Sequence, residues 1–261
     1  MKKFFQDIQK YFKYILYATK SNLKSEVANS YLNWLWWILD PLCFMLVYTF
    51  IVEIVFKTKE PFFPVFVLVG LTVWNFFSAC INSSVKLVAN NKAIVDKVYV
   101  PKYVLTLVKM FTNMFKMFIS WGLILIMMIL FKVPYTLFMI QFLPVLIVLF
   151  VLSFGMSTIL MHFGVFVEDL SNVINIVLKL VFYLSGIFYA IPTRLPSPFN
   201  RILLNLNPVA LIIDSFRKTF LYGKFVNYRM LAAWLIVGII LSIIGVKTIQ
   251  KYENSYAKVT K

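Results

Sequence analysis

The sequence predicts an all-α integral membrane protein with six transmembrane helices. It adds an N-terminal amphipathic helix at the membrane interface and an extracytoplasmic re-entrant helix pair between spans five and six. Three observations carry this. Hydrophobic residues make up 61% of the 261 residues and charged residues only 14%, where a soluble domain has roughly 25% charged. The apolar residues come in long unbroken runs, not in the alternation a membrane β-barrel needs. The runs are close to the length, about 20 residues, that crosses a ~30 Å hydrocarbon core. A soluble enzyme, a disordered chain and a disulfide scaffold are excluded by the same figures. Residues 1–261 read as a single transmembrane domain.

The elements follow in order. Over residues 3–20, Phe4, Phe5, Ile8, Tyr11, Phe12, Ile15 and Leu16 recur at helical spacing, with Asp7, Lys10, Lys13 and Lys20 on the polar side. The run is too polar to span and predicts a helix lying in the headgroup plane. A helix docked on protein would show the same stripe. Spans are expected at 34–56, 63–83, 110–131, 137–161, 173–191 and 230–248. The first opens on Trp34, Trp36 and Trp37, an interfacial aromatic belt. Between spans five and six, 198–206 and 208–222 carry two apolar helical faces, each too short to cross, separated by Asn207-Pro208. With Pro192, Pro196 and Pro198 breaking the path, 192–229 reads as a region that dips into the membrane from outside. Irregular backbone is tolerated there only inside protein or beside water.

Basic residues set the orientation. Residues 1–33 carry six lysines, the loop between spans two and three carries Lys86, Lys92, Lys97, Lys102 and Lys109, and the tail from Lys247 is basic. The positive-inside rule puts these on the cytoplasmic side, and six spans then leave both termini there. The segment 192–229 disagrees, with Arg194, Arg201, Arg217, Lys218, Lys224 and Arg229 on the expected outside. The net charge of +16, from 26 basic and 10 acidic residues, fits loops facing anionic headgroups and implies no nucleic acid.

Enzyme signatures are absent. There is no phosphate-binding G-x-x-x-x-G-K-[ST] loop, no G-x-S-x-G turn, no H-E-x-x-H helix and no C-x-x-C pair. Cys43 and Cys80 lie in apolar runs and imply no disulfide. His162, the only histidine, offers no metal set, though Glu168 and Asp169 follow close behind it. Charged residues inside spans are costly and mark function by default. Asp40, directly before Pro41 in the first span, is one; Lys116, inside the third, is another, with snorkelling to the interface as its alternative.

Four ordered stretches then carry a resemblance. They are Asn29 to Leu42 with its tryptophan cluster; Asn91 to Lys102, closed by Val100-Pro101-Lys102; Glu168-Asp169-Leu170 followed by Phe182 to Tyr189; and Leu206-Asn207-Pro208 with Phe216-Arg217 downstream. Together they resemble the membrane permease of type-2 ATP-binding-cassette exporters of the polysaccharide and polyol-phosphate family, which export O-antigen, teichoic acid or capsule. Gly186 stands where that family often has proline, and Glu168-Asp169 where it usually has Arg-Asp.

The resemblance implies a homodimer in the bacterial cytoplasmic membrane, bound to two copies of a separate ATPase subunit that holds ATP and Mg. This chain itself would hold no cofactor or metal. It implies that the segment 90–103, with Asn91, Lys92, Asp96, Lys97, Val100, Pro101 and Lys102, receives the ATPase motion. A lipid-linked glycan would pass along a path for which Trp34, Trp36, Trp37, Asp40, Phe188, Tyr189 and Arg217 are candidates. Two other functions fit the composition: export of small lipophilic compounds, and an intramembrane enzyme using Asp40, His162, Glu168 or Asp169.

Overall fold

A computed structural model describes residues 2–28, 31–55, 57, 60–95 and 97–259. Among them every regular element is helical. The elements are α1 (Lys2–Val27), α2 (Trp36–Thr49), α3 (Phe63–Val85), α4 (Leu87–Asn90), α5 (Lys92–Val95), α6 (Lys102–Leu130), α7 (Phe142–Phe166), α8 (Leu170–Leu184), α9 (Ile191–Arg194), α10 (Phe199–Leu206), α11 (Pro208–Arg217) and α12 (Tyr228–Val259). A wider π-type turn, Phe50–Val55, prolongs α2, and another, Lys218–Tyr222, prolongs α11.

The centre is α3. Pro64 sits in its first turn, where a missing N–H costs nothing, and the following residues are apolar on every side. A helix apolar all round is stable only when covered, and α2, α6, α7, α8 and α11 cover it. The second axis is the α7–α12 pair. A Cβ added at Gly155 would lie 2.8 Å from the Gly238 carbonyl oxygen. The bare backbone therefore lets the two helices touch, as small residues do inside membranes.

Five segments are long and apolar enough to span: Trp36–Val55, Phe63–Val85, Lys102–Leu130, Leu137–Phe166 and Tyr228–Glu253. These match the expected first, second, third, fourth and sixth spans. The third starts eight residues before the expected 110, directly behind Pro101, which cannot be continued from a preceding helical turn. The expected fifth span, 173–191, is a helix of only 15 residues, α8. It ends because Gly186 takes the left-handed conformation, φ +65°, the usual helix stop. Proline cannot adopt that φ, which accounts for glycine here.

Helix α1 runs further than the expected 3–20. Phe4, Ile8, Tyr11 and Ile15 face the protein core, and α1 packs along α6. Phe5, Phe12 and Leu16 form a second stripe that stays exposed. The two short patterns after the fifth span are present as α10 and α11. Asn207 caps α11 by accepting from the Val209 and Ala210 N–H groups at 3.0 and 3.2 Å. All of α11 from Val209 to Arg217 is buried, whereas α10 buries no residue.

Candidate translocation site and coupling face

Helices α2, α3 and α6 enclose a cleft of about 490 Å³. Its polar lining is built by helical repetition. On α3, Thr72, Asn75, Ser78 and Asn82 follow one another at three- or four-residue steps; on α6, Asn113, Lys116 and Ser120 do the same. Trp36, Trp37 and Asp40 of α2 close the third side. Amides and hydroxyls of this kind are costly inside a hydrocarbon layer unless something hydrogen-bonds to them. The Asn113 amide reaches the Cys80 sulfur at 3.6 Å. The Thr72 hydroxyl is buried without a partner among the described residues.

Lys116 does not stand free in this cleft. Its Nζ lies 2.9 Å from Glu26 of α1, whose other carboxylate oxygen is 3.2 Å from Lys109. Burial opposes ionisation of Glu26, but the two ammonium groups outweigh it and hold its carboxyl below the ordinary glutamate value. This triad ties the end of α1 to the wall of the cleft.

The candidate path residues fall into separate groups. Trp36, Trp37 and Asp40 line the cleft. Trp34 lies outside it, exposed in the turn Asn33–Leu35. Phe188 packs on Tyr48, ring centres 3.9 Å apart, and on Phe182. The Tyr189 hydroxyl donates to the Tyr183 carbonyl at 3.0 Å. Arg217 is only 3% exposed. It donates to the carbonyls of Gly186 and Ile187 at 2.6 and 2.7 Å and of Phe66 at 3.2 Å, while lying 3.3 Å over the Phe66 ring. It binds the turn after α8 to α3 and α11. Its neighbours explain part of the positive excess in 192–229: Arg194 pairs with Glu60 at 3.1 Å and Lys218 with Asp214 at 2.7 Å.

The segment 90–103 runs from the last residue of α4 through the one-turn helix α5 and, by a turn at Lys97 and Val98 that bonds back to Ile94, into the start of α6. The Asn91 amide caps it by donating to the Leu87 carbonyl at 2.8 Å. Lys92 and Lys97 are exposed and Asn91 half-buried; Asp96 lies outside the described residues, as do Asn29 and Ser30. Val100 and Pro101 are buried. Lys102, 5% exposed, stands 3.8 Å from Glu253 of α12, and the Tyr99 hydroxyl donates to the same carboxylate at 3.0 Å. Partial burial, then the Glu253 charge, push that phenol up to about 12, so it keeps its proton. From the other side the Tyr11 hydroxyl donates to the Tyr99 carbonyl at 3.2 Å and the Tyr103 hydroxyl to Asp7. Both ends of the chain therefore meet on this one loop.

His162 shares a 2.7 Å hydrogen bond with the Tyr256 hydroxyl and is packed by Phe163, Phe166 and Tyr252. Glu168 and Asp169 are exposed in the turn after α7. Among the described residues no three His, Cys, Asp or Glu side chains gather as a metal set.

The profile of the ABC-2 type transporter family matches residues 14–221, most of the spans and all of the cleft. The chain belongs to the ABC-2 type transporter family. Two proteins of Klebsiella pneumoniae, each named O-antigen export system permease protein RfbA, are 26% identical to it over 249 residues, which is 95% of this chain and 95% of theirs. A protein of the same name from Myxococcus xanthus is 24% identical over 236 residues, 90% of this chain and 91% of its own. As an ABC-2 chain it is a multi-pass membrane protein and a transport subunit. The cleft residues Thr72, Asn75, Asn82 and Asn113 were not singled out by sequence reasoning. Their signal was there, as polar side chains at three- and four-residue spacing inside apolar runs.

Proposed function

We propose that this chain is the permease of an exporter that carries a lipid-linked polysaccharide, of O-antigen or teichoic-acid kind, across the bacterial cytoplasmic membrane. ATP and Mg belong to a separate subunit, two copies of which drive a homodimer of this chain. The observation that carries the reading is similarity to three O-antigen export permeases over nearly the whole length of both chains. The missing phosphate-binding loop fits it, since hydrolysis then occurs elsewhere.

Six crossings are supported by parity. Five helices are long enough to span, yet both chain ends meet the same loop. An even count brings them there, and α8 is the remaining candidate. Its 15 residues measure about 22 Å, and the stretch 185–190 would complete the passage. The basic loops then place both termini and the segment 90–103 in the cytoplasm. In this arrangement α10 and α11 form the outer re-entrant pair, with α11 shielded by protein.

Affinity purification of the tagged chain in mild detergent tests the partner, with mass spectrometry of what co-elutes. A near-equimolar subunit with a phosphate-binding loop is expected. Depletion of the chain tests the substrate: polysaccharide should accumulate inside the cell. Normal surface polymer after depletion would falsify the export reading, and a folded chain with no ATPase partner would favour an intramembrane enzyme.

A further inference from the structure

We propose that Asn172, Asn175 and Lys179, a polar stripe along α8, face the aqueous path of the cargo and select an anionic polymer, with phosphodiester or carboxylate groups in its repeats, over a neutral glycan. The inference rests on the export reading and on α8 as a crossing helix, and it names the charge class of the cargo. Helical spacing divides α8 into three faces. Leu178 and Phe182 pack on the core, the Phe182 ring centre 5.3 Å from that of Trp74 on α3. Val173, Ile176 and Leu180 form an exposed apolar face suited to lipid. Asn172, Asn175 and Lys179 form the third face, which is also exposed. None of the three makes a side-chain hydrogen bond or ion pair among the described residues. The anchor on α3 keeps this stripe from turning inward.

Lys179 stands nine residues past Leu170, about 13 Å along the helix axis. That is too deep for its stem to carry the charge to the inner headgroups. An ionised side chain at such depth faces water or protein, not lipid. The described acids give it no counter-charge. Glu26, Glu60, Asp214 and Glu253 hold other cations. Asp40 and Glu53 lie on α2 and its π-type extension, Glu168 and Asp169 in the turn before α8, and none of them pairs with Lys179. An ammonium binds phosphate as a point charge, and the two amides add donors beside it. A neutral glycan that displaced the water around Lys179 would leave this charge without a partner. An anionic repeat replaces the water with a counter-charge.

The test uses the assembled permease–ATPase complex in lipid nanodiscs during ATP hydrolysis. Cys43 is replaced by serine, buried Cys80 is kept, and Asn175→Cys places a thiol one helical turn from Lys179. Two water-borne thiol reagents are compared, the anionic sulfonatoethyl and the cationic trimethylammonioethyl methanethiosulfonate, each scaled to its rate with 2-mercaptoethanol. The anionic reagent should gain about tenfold, the effect of unit charges about 6 Å apart at an effective dielectric constant of about 40. Lys179→Gln should remove that preference and Lys179→Arg should keep it. If the glutamine variant does not assemble, the preference measured beside Lys179 decides alone. No labelling by either reagent, as in a stripe sealed against a second copy, or equal labelling by both, overturns the proposal. The polymer that accumulates when the chain is depleted is then analysed for phosphate and uronic acid. Charged groups in its repeats are expected. A neutral polymer overturns the proposal and leaves the export reading standing, whereas no accumulation at all strikes the export reading itself.

Discussion

Gly70 lacks a side chain where Arg217 needs the room: a Cβ there would lie 2.8 Å from the guanidinium Nη2. That nitrogen is held by the Ile187 and Phe66 carbonyls, so it cannot step aside cheaply. We expect Gly70→Ala and Arg217→Met each to lower stability by about 2–4 kcal/mol, since buried carbonyls lose a charged donor. In chemical unfolding of the detergent-solubilised protein, the double variant should cost little more than Arg217→Met alone; full additivity would show that the two residues do not share one interaction. The sequence placed Arg217 among the candidates for the glycan path. Its burial was illegible because its partners are backbone carbonyls, which every sequence has everywhere. Glu26 is a similar case, a lone acid among lysines until the fold brings Lys109 and Lys116 to it. Its carboxyl is held below the ordinary value. The pair's contribution is therefore intact above the ordinary glutamate value and is lost as pH falls through the lowered one. Hydrogen exchange over 20–27, corrected for intrinsic rates, should match at pH 7.5 and 5.5. Glu26→Gln should raise it at both; an unchanged pattern in the variant would show that the triad does not hold α1.

At the scale of elements, hydropathy recovered five spanning segments, and two ends fell elsewhere than expected. Lys102 and Lys109 made the start of α6 read as loop, because their pairing with Glu253 and Glu26 is invisible to a hydropathy window. The helix of the expected fifth span ends at Leu184, seven residues before the expected 191, because one glycine at positive φ stops a helix within an apolar stretch. The stripes along α3 and α6 were legible as spacing, but only packing shows that they face one another. The α7–α12 contact makes a sharp demand. Gly155→Leu should cost about 1–3 kcal/mol by forcing the helices apart, read as a loss of folded protein in mixed-micelle unfolding. Wild-type stability in that variant would mean the helices are not in backbone contact. The segment 90–103 makes the opposite kind of prediction. Lys97 is exposed, so Lys97→Glu should leave the fold intact. In the reconstituted complex, ATP hydrolysis should continue while export falls; unchanged coupling would reduce the segment to a connector.

For the whole molecule, the all-helical membrane class and five of the expected spans were legible because they depend on composition and length alone. Closure of the two ends onto one loop was not, because Tyr11, Asp7, Tyr99, Lys102 and Glu253 are ordinary polar residues separated by up to 246 positions. That closure predicts that ending the chain after residue 248 should keep all spans yet weaken recovery of the ATPase subunit in mild detergent. Full recovery would show that α12 does not support the loop.

The knot at Tyr99 also bears on the order of synthesis. The loop emerges from the ribosome 154 positions ahead of Glu253, which fixes Tyr99 and Lys102 in place. A nascent permease stopped short of Glu253 would thus leave Tyr99 and Lys102 without the carboxylate that holds them. Under the proposed function, synthesis past Glu253 would then be a checkpoint for recruiting the motor.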